Sequence, residues 1–365
     1  MFDWIPLESY VGVYYNTMLV IGLMMWLHSM MFDLKNESSI QLFKIIGSIF
    51  TVFIMLYIGL RPISSQYFGD MYTYSQYFKL ASSGAKIIVR DDYLFNYFLI
   101  GCSQIMSVEM FFLVVSVLYI LPCYLFARKY FGNYWFFGFY IMVSAFAFWS
   151  YGTNGIRNGL ASSAFVMALI FYKKKALLYS FFAFSFLFHA SMIIPIGAYF
   201  VAAQYKNPVL YLQIWLIAIP ISFFGGSYFE SLFVGLGFED RVSGYFTNKE
   251  IAADQAAIVG FRWDFLLYSA SAVFAGWYYI FKKKVNDTFY THLFGVYTVA
   301  NAFWILVIRA NFSNRFAYLS WFLMAIVIGY PLFRYKLWND QYRVFGTILF
   351  AYYLFTYIMF LRNGY

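Results

Sequence analysis

A succession of apolar runs with only short polar connections between them constrains this chain more than any other feature. A helix needs about 20 apolar residues to cross a hydrocarbon core roughly 30 Å thick, and in lipid only helices and closed barrels satisfy their backbone polar groups. The runs lie at 11–31, 41–60, 107–127, 135–150, 155–172, 209–225, 264–281, 291–308, 315–333 and 343–361. Only 11% of the residues are charged, against about 25% in soluble domains. The sequence therefore predicts an all-α, polytopic integral membrane protein with a single domain over 1–365.

The stretch 176–203 has lysines at both ends, with Lys173–Lys175 before it and Lys206 after it. Because basic loops stay in the cytoplasm, both ends are expected inside, which requires two short helices with a hairpin tip near His189. The segment 93–106 is a further short or re-entrant helix, and the choice between the two is open. About twelve passes then bring all the basic clusters inside. These clusters are Lys35 with Lys44, Arg128 with Lys129, Lys173–Lys175, Lys206, Lys282–Lys284 and Arg334 with Lys336.

The same topology collects on the outer face the polar residues that membrane insertion does not require. They lie in the loop 61–93, at Asn154, at His189, in the long loop 226–263 and in the segment 309–315. The basic clusters account for the net charge of +9, so no nucleic-acid partner is expected. The first ten residues, MFDWIPLESY, lack a basic stretch and a small-residue cleavage site, so no cleavable signal is expected.

Two charged residues follow the second run, in GLRPISSQYFGDMYTYSQYF. Arg61 ends the run, where it either extends its stem toward the interface or binds a ligand. Nothing in membrane topology requires an acid at Asp70, which is a candidate general base or a partner for Arg61. Charges beside membrane spans are costly unless they are paired or used, so this loop is a candidate site.

The segment YGTNGIRNGLASSAF, residues 151–165, predicts a helix that begins at the outer surface. Thr153 or Asn154 is expected as its N-cap, and the spacing of three places Asn154 and Arg157 on one face. The free N–H groups and the positive end of the helix dipole favour an anion such as phosphate there. The alternative is structural, because Gly155 and Gly159 allow two helices to approach closely.

Further candidates lie at the remaining outer positions. His189 is either a satisfied core residue or, at a hairpin tip, a catalyst. The loop 226–263 is long for a connection and begins with an amphipathic stretch, so it is a candidate lid over a lipid-linked substrate. Other candidates for binding, mostly arginines suited to bidentate phosphate contacts, are Arg241, Tyr245, Arg262, Arg309, Asn314 and Arg315.

Motifs typical of nucleotide, zinc, serine-hydrolase or dinucleotide chemistry are missing from the sequence. The two cysteines, Cys102 and Cys123, lie in apolar stretches without metal or disulfide spacing and are interpreted as packing residues. No cofactor and no metal are therefore expected, and the substrate is expected to arrive already activated.

Four blocks in order, GLRPISSQYFGDMYTYSQYF, NGIRNGLASSAFVMAL, FHASMIIP and NRFAYLSWF, resemble the EpsG family, which belongs to the Wzy-type polymerases of bacterial O-antigen and exopolysaccharide. The sequence departs from the family pattern in two places. More residues separate Arg61 from Asp70 than in the family's short form. Asp92 is the candidate for the family's next acid, but the proline that usually follows is missing, so the role of Asp92 is left open.

The resemblance implies a membrane glycosyltransferase that polymerises polyprenyl-diphosphate-linked oligosaccharide repeat units at the outer face of the bacterial inner membrane. Asp70 is then the first choice for the base and His189 the second, with Arg61, Arg157 and Arg315 at the diphosphates. The expected partners are the lipid-linked substrate, the bilayer and a chain-length regulator in the membrane. The alternatives are a transporter or flippase of the same lipid-linked glycan and a membrane O-acyltransferase. Most tyrosines and tryptophans are attributed to interface belts.

Overall fold

A computed structural model of the chain describes residues 2, 4–85, 92–233, 261–310 and 313–363. All regular elements among these residues are helices, which confirms the predicted all-α, polytopic membrane fold. Six described segments are long and apolar enough to span a membrane: Leu7–Met31, Glu37–Gly59, Val108–Val143, Pro208–Gly226, Arg315–Arg334 and Gln341–Arg362. Other apolar helices are shorter, so the number of passes stays a prediction.

The α-helices, labelled in chain order, lie close to the predicted runs. Local signals set some of their ends. Ser107, for example, caps the fifth helix by accepting a hydrogen bond from the Met110 N–H, and Gly132 ends it at a positive φ of 54°, where glycine has no Cβ to clash. The helices are α1 (Leu7–Met31), α2 (Glu37–Gly59), α3 (Gly69–Ser82), α4 (Tyr93–Ser103), α5 (Val108–Phe131), α6 (Trp135–Val143), α7 (Phe146–Thr153), α8 (Ile156–Ile170), α9 (Lys175–Phe188), α10 (Ile193–Gln204), α11 (Pro208–Phe233), α12 (Trp263–Trp277), α13 (Thr288–Leu306), α14 (Ser313–Arg334) and α15 (Gln341–Asn363).

The chain divides into two compact units, Met1–Met192 with Leu332–Tyr365, and Ile193–Pro331. In the first unit α5 packs against α2, α6 and α8, while α8 packs against α9 and α4 lies between α3 and α9. In the second unit α13 packs against α10, α11 and α12.

The first and last helices of the chain, α1 and α15, pack against each other within the first unit. The Tyr353 hydroxyl donates a hydrogen bond to the backbone oxygen of Tyr15. Gly346 lies so close to α1 that a Cβ added to it would come within 1.9 Å of the Ser29 hydroxyl oxygen. The interface therefore depends on a glycine in one helix and on a polar contact across the pair, as is typical of helix packing in membranes.

The prediction of a single span over 135–150 is wrong, because the helix breaks between α6 and α7. The break frees backbone carbonyls, and hydroxyl groups from distant helices take them up. Tyr14 donates to the Val143 oxygen at 2.7 Å, and Thr356 donates to the Ser144 oxygen at 3.2 Å. The sequence around Ser144 contains neither glycine nor proline, so the break depends on partners supplied by other parts of the chain.

Many tyrosines are buried and serve the same purpose, which corrects their attribution to interface belts. Tyr10 and Tyr57 each donate a hydrogen bond to the other's backbone oxygen, at 2.7 and 2.6 Å, and their rings stack with centroids 4.3 Å apart. Tyr140 in α6 donates to the Met18 oxygen in α1 at 2.7 Å. A phenol fills apolar volume with its ring and satisfies a helix carbonyl with its hydroxyl, so these residues cross-link helices.

The predicted division of the stretch 176–203 is confirmed. Helix α9 ends at Phe188, a 3₁₀ turn spans Ala190–Met192, and α10 follows. The predicted loop 226–263 begins too early, since α11 continues to Phe233. The remainder, from 234 to 260, lies outside the described residues, so the proposed lid stays a prediction.

The second unit contains a buried neutral polar network around Asn301 in α13. Its side-chain oxygen accepts the Trp215 indole N–H at 2.7 Å, and its amide nitrogen donates to Ser269 at 3.1 Å and to Ser320 at 2.9 Å. Trp321 donates to the same Ser269 oxygen at 2.6 Å. Side chains from α11, α12, α13 and α14 are thus connected by hydrogen bonds with no charged member.

Candidate functional site

Asp92 stands directly before α4, with backbone angles φ 50° and ψ 48°. This left-handed conformation is unfavourable for most residues, but aspartate tolerates it. The carboxylate makes no capping bond to its own helix, and its side chain is fully buried. A buried carboxylate is costly unless other groups pair with it, so its surroundings in the first unit define the site.

Arg157 supplies the main partner, with its Nη1 2.7 Å from Asp92 Oδ2. It lies in the first turn of α8, where a cation opposes the helix dipole; the Asp92 carboxylate compensates for that. The Arg157 side chain keeps 35% of its surface exposed, while Asp92 keeps none. The guanidinium therefore faces both the buried acid and the outside of the protein.

His189 joins the same cluster from the end of α9. Its Nδ1 lies 3.7 Å from Asp92 Oδ1 and 3.3 Å from the Ser191 hydroxyl oxygen, and the Ala190 N–H donates to Asp92 Oδ1 at 3.4 Å. The histidine is nearly buried, with 9% of its surface exposed. Segments that are distant in sequence thus meet around a single carboxylate.

Tyr74 in α3 forms the neighbouring wall of this cluster. Its ring centroid lies 5.6 Å from the Arg157 guanidinium carbon, so the two side chains are in contact. Burial raises the pKa of the Tyr74 phenol to about 12, although Arg157 opposes the rise, so the phenol keeps its proton at neutral pH. Asp70, one turn earlier in α3, is exposed and acts on Tyr74 and Arg157 through its charge.

The predicted helix cap at the start of α8 is wrong. Gly155 occupies the N-cap position without a side-chain hydrogen bond, and Thr153 instead ends α7 and donates back to the Trp149 oxygen at 2.8 Å. Asn154 lies between the two helices, so it does not share a helical face with Arg157. Helix α7 ends at Thr153 and α8 begins at Ile156, so the two residues between them form the break.

The asparagines on either side of Arg157 have unused hydrogen-bonding capacity. The side-chain oxygens of Asn154 and Asn158 are both buried and have no hydrogen-bond partner among the described residues. Most buried polar atoms in folded proteins are paired, so such exceptions require an explanation. Each oxygen can accept one hydrogen bond from the hydroxyl group of a ligand.

The small residues of α8 also have the structural role that the sequence left open. A Cβ added to Gly159 would lie 2.6 Å from the Tyr151 backbone oxygen and 3.3 Å from the Tyr119 ring. Gly159 therefore allows α8 to lie close to α7 and α5. The same segment thus combines a packing residue with the charged residue Arg157.

Arg61 lies away from the carboxylate and joins two helix ends. It donates to the backbone oxygens of Ile58 in α2 and, at 2.7 Å, of Thr153 in α7. Only 4% of its surface is exposed, and burial lowers the pKa of its guanidinium to about 9, which leaves it charged at neutral pH. A cation at two helix C-termini satisfies carbonyls that lack helical partners. Its charge is therefore used mainly within the fold.

The remaining candidates lie in the second unit or outside the described residues. Arg262 pairs with Asp264 at 2.8 and 2.9 Å, while Arg309 donates to the Phe223 backbone oxygen at 3.0 Å. Arg315 is exposed in the first turn of α14. The backbone of Asn314 belongs to that helix, but its side chain is not described, and Arg241 and Tyr245 lie outside the described residues.

Sequence reasoning left the role of Asp92 open and did not identify Tyr74 or Asn158 as site residues. A signal for Asp92 existed, because a cation in the first turn of an apolar helix requires a nearby acid. Within the described residues, no group of three His, Cys, Asp or Glu side chains could hold a metal ion. The cluster presents a histidine whose Nδ1 lies 3.7 Å from a carboxylate oxygen, a pair suited to proton transfer, and a partly exposed arginine, which is suited to binding an anion.

Comparison with known proteins assigns the chain to a family. Neither the curated proteins nor the solved structures with which the chain was compared include a match. The sequence model of the EpsG family, in contrast, matches residues 44–365. The match includes Asp92, Arg157 and His189 as well as most of the helices. Because it covers far more than half of the sequence, the chain belongs to the EpsG family, whose members are Wzy-like polysaccharide polymerases.

Proposed function

We propose that the protein is a membrane glycosyltransferase that joins polyprenyl-diphosphate-linked oligosaccharide repeat units into O-antigen, capsule or exopolysaccharide. In this proposal the site faces the outside of the bacterial inner membrane. The convergence of Asp92, Arg157 and His189 is the observation that carries it, because it combines a proton acceptor and an anion-binding cation. Membership in a family of polysaccharide polymerases supports the reaction type.

The proposed reaction exchanges one bond at the anomeric carbon of the growing glycan. A hydroxyl oxygen of the next lipid-linked repeat unit forms the new glycosidic bond to that carbon. The bond between the carbon and the diphosphate oxygen breaks, and its electron pair leaves with the polyprenyl diphosphate. The hydroxyl proton passes to a base on the protein. The chemistry therefore requires a base on one side of the carbon and cations at the diphosphate.

We assign the base to His189 rather than to Asp70. The Ser191 N–H donates to His189 Nδ1 at 3.5 Å, and the proposal requires Nδ1 to exchange that weak contact for one to the Asp92 carboxylate, which favours the tautomer with the proton on Nδ1 and makes Nε2 the proton acceptor. The distance of 3.7 Å between Asp92 Oδ1 and His189 Nδ1 exceeds a hydrogen bond, and such contacts commonly tighten when substrate binds. Asp70 is exposed, so water would compete for it, and its negative charge supports Arg157 instead.

We assign Arg157 to the leaving diphosphate. Its Nη1 is held by Asp92 at 2.7 Å, whereas the guanidinium has five N–H donors in all. The donors on its exposed side can approach phosphate oxygens in pairs, in a geometry that a lysine cannot reproduce. Stabilisation of developing charge is usually the largest contribution to catalysis. The unpaired oxygens of Asn154 and Asn158 would accept hydrogen bonds from sugar hydroxyl groups.

The test supplies purified protein with a lipid-diphosphate-linked repeat unit in the absence of nucleotide, and gel separation follows glycan length. We expect a ladder from the wild type and from Arg128→Lys. Arg128 is a matched control because it lies over the Trp135 ring at 5.3 Å, in a cluster that the sequence assigns to the cytoplasm. Arg157→Lys should lose the ladder, and a full ladder from it would remove Arg157 from the diphosphate. Movement of the lipid across vesicles without a ladder would favour a flippase.

A further inference from the structure

A small basic cavity lies in the first unit, at the other end of α2 from Arg61. Three segments line it: the connection after α1, the 3₁₀ turn Gly132–Tyr134, and the chain from the end of α14 into α15. Helix α2 is 23 residues long, which at 1.5 Å per residue separates its two ends by about 34 Å. Arg61 donates to the Thr153 oxygen just before α8, and no described lining residue of the cavity belongs to the cluster around Asp92, so the two sites are distinct.

The lining of this cavity is positively charged. Lys35, Arg334 and Lys336 contribute cations, and no acidic side chain belongs to the lining among the described residues. Lys35 and Lys336 are exposed, so their ammonium groups can reach a ligand. The Asp33 carboxylate lies near enough to act through its charge on the lining residue Tyr134, but the three cations of the lining outnumber it, so the cavity is suited to a negatively charged ligand.

Neutral donors complete the lining. The hydroxyl groups of Tyr134 and Tyr342 lie 2.8 Å apart in a hydrogen bond, and Asn339 contributes an amide. The Lys35 ammonium lies 5.8 Å from the centre of the Tyr342 ring, so the same tyrosine contacts both a phenol and a cation. Residues from distant parts of the chain thus form the wall of the cavity. The fold holds the cations together, in contrast to lysines that are merely neighbours in one loop.

The size of the cavity narrows the class of ligand. Its volume is about 150 Å³, whereas small-molecule pockets usually measure roughly 300–1,000 Å³. A whole nucleotide is too large for such a space, but a single phosphate group fits. The sequence predicts that all three cations face the cytoplasm, close to the ends of membrane helices, and basic pockets in that position commonly bind lipid head groups.

We propose that Lys35, Arg334 and Lys336 bind a phosphate group in this cavity, supplied by the head group of an anionic phospholipid or by inorganic phosphate. The site is independent of the polymerase reaction proposed above, because it lies at the opposite end of α2. Binding there would join the connection after α1 to the chain between α14 and α15, and would therefore stabilise the first unit.

The test compares two double variants of the full-length protein in neutral detergent. Lys35→Gln with Lys336→Gln removes two cations from the cavity. Lys282→Gln with Lys283→Gln is the matched control, because those lysines are also predicted to face the cytoplasm and lie over the Trp277 and Tyr278 rings at 5.6 and 5.7 Å. Phosphatidylglycerol and inorganic phosphate are titrated separately. Native mass spectrometry reports lipid binding, and the melting temperature reports phosphate binding.

We expect the cavity variant to bind at least one of the two probes about tenfold more weakly or worse than the wild type, since each cation near an anionic lipid surface contributes measurably. The control should bind both probes like the wild type. Loss of lipid binding alone identifies the head group as the source, and loss of phosphate binding alone identifies the soluble anion. Equal losses in both double variants, or no loss in either, would overturn the proposal.

A second variant tests the cavity without changing the charge of its lining. Tyr134→Phe removes the hydroxyl that bonds to Tyr342 and leaves every cation in place. We expect it to weaken binding of the same probe that the Lys35→Gln, Lys336→Gln protein loses, by a smaller factor. If Tyr134→Phe binds that probe like the wild type, the losses in the lysine variant reflect surface charge and the cavity is not the site.

Discussion

The two units of the molecule each bury a polar cluster, and the clusters differ in charge and in completeness. Around Asn301 the members are neutral, and side-chain bonds of 2.6–3.1 Å connect them. Around Asp92 an ion pair with Arg157 is present, Arg157 remains 35% exposed, and the oxygens of Asn154 and Asn158 have no described partner. A closed neutral network stabilises helix packing. An open charged cluster retains groups that a substrate can use.

The largest expected effect is on the rate of glycan extension. It distinguishes His189 in the first unit from His292 in the second unit. His189→Gln should lower the rate of glycan extension about 100- to 10,000-fold, the range for loss of a general base, while leaving the melting temperature unchanged. His292 in the second unit, whose Nε2 lies 2.9 Å from the Tyr199 backbone oxygen, supplies the matched control. Initial rates of ladder formation check both variants. Equal rates for His189→Gln and His292→Gln would remove the histidine from the chemistry.

The second prediction concerns the stability cost of the charged cluster. Arg157→Ala removes the main partner of the buried Asp92 carboxylate; because 35% of the Arg157 side chain is exposed and water can take its place, the cost should be about 1–3 kcal/mol. Adding Asp92→Asn to that variant removes the buried charge and should restore most of the stability without restoring polymerisation. Thermal unfolding in detergent measures the first effect, and the ladder assay measures the second. Equal melting temperatures for the single and the double variant would contradict a buried ion pair.

The third prediction tests the closed network in the second unit. Asn301→Ala removes the acceptor for the Trp215 N–H and a donor to Ser269 and Ser320, so it should lower stability by about 1–3 kcal/mol. The remaining folded protein should extend glycans at the wild-type rate, because this network has no exposed charge to offer. Activity is therefore expressed per folded molecule, as counted by size-exclusion chromatography. A lost ladder with unchanged melting temperature would reverse the roles of the two clusters.

The smallest effect is expected at Asn158. Asn158→Ala removes an oxygen that has no described partner, so folding should not suffer. If that oxygen accepts a sugar hydroxyl, the variant loses about 0.5–1.5 kcal/mol of substrate binding, or roughly a two- to twelvefold rise in KM. A KM measured against the concentration of the lipid-linked repeat unit detects this change. A destabilised variant with unchanged KM would make Asn158 a packing residue.

Sequence reasoning predicts most of the helices correctly, because long apolar runs leave a membrane chain few other options. The failures occur where distant side chains decide the outcome. The break after Val143 depends on hydroxyl groups of Tyr14 and Thr356, and nothing in the local sequence signals it. Individual hydropathy runs carry no information about which residues will supply a hydrogen-bond donor across the bundle.

Individual residues of the candidate site could be predicted from the sequence. Their arrangement around Asp92 could not. Arg157 and His189 are polar residues in apolar surroundings, and that contrast is visible in the sequence. Their common partner Asp92 is separated from Arg157 by 65 positions, and its left-handed backbone conformation becomes apparent only in the folded chain. Arg61 is likewise a charged residue beside an apolar run, but it has a different role, because it donates hydrogen bonds to backbone oxygens at the ends of two helices. Burial and partners, which sequence alone does not give, distinguish the two arginines.

The packing of α1 against α15 has a consequence for biogenesis. Helix α1 is made well before α15, the helix that covers Ser29 and bonds to the Tyr15 carbonyl. At about 5–20 residues per second, the roughly 300 residues between these helices take on the order of 15–60 s to synthesise. During that interval α1 resides in the bilayer or against the insertion machinery without the α15 contacts at Tyr15 and Ser29. The contacts of α1 with α2 can therefore form long before its contacts with α15.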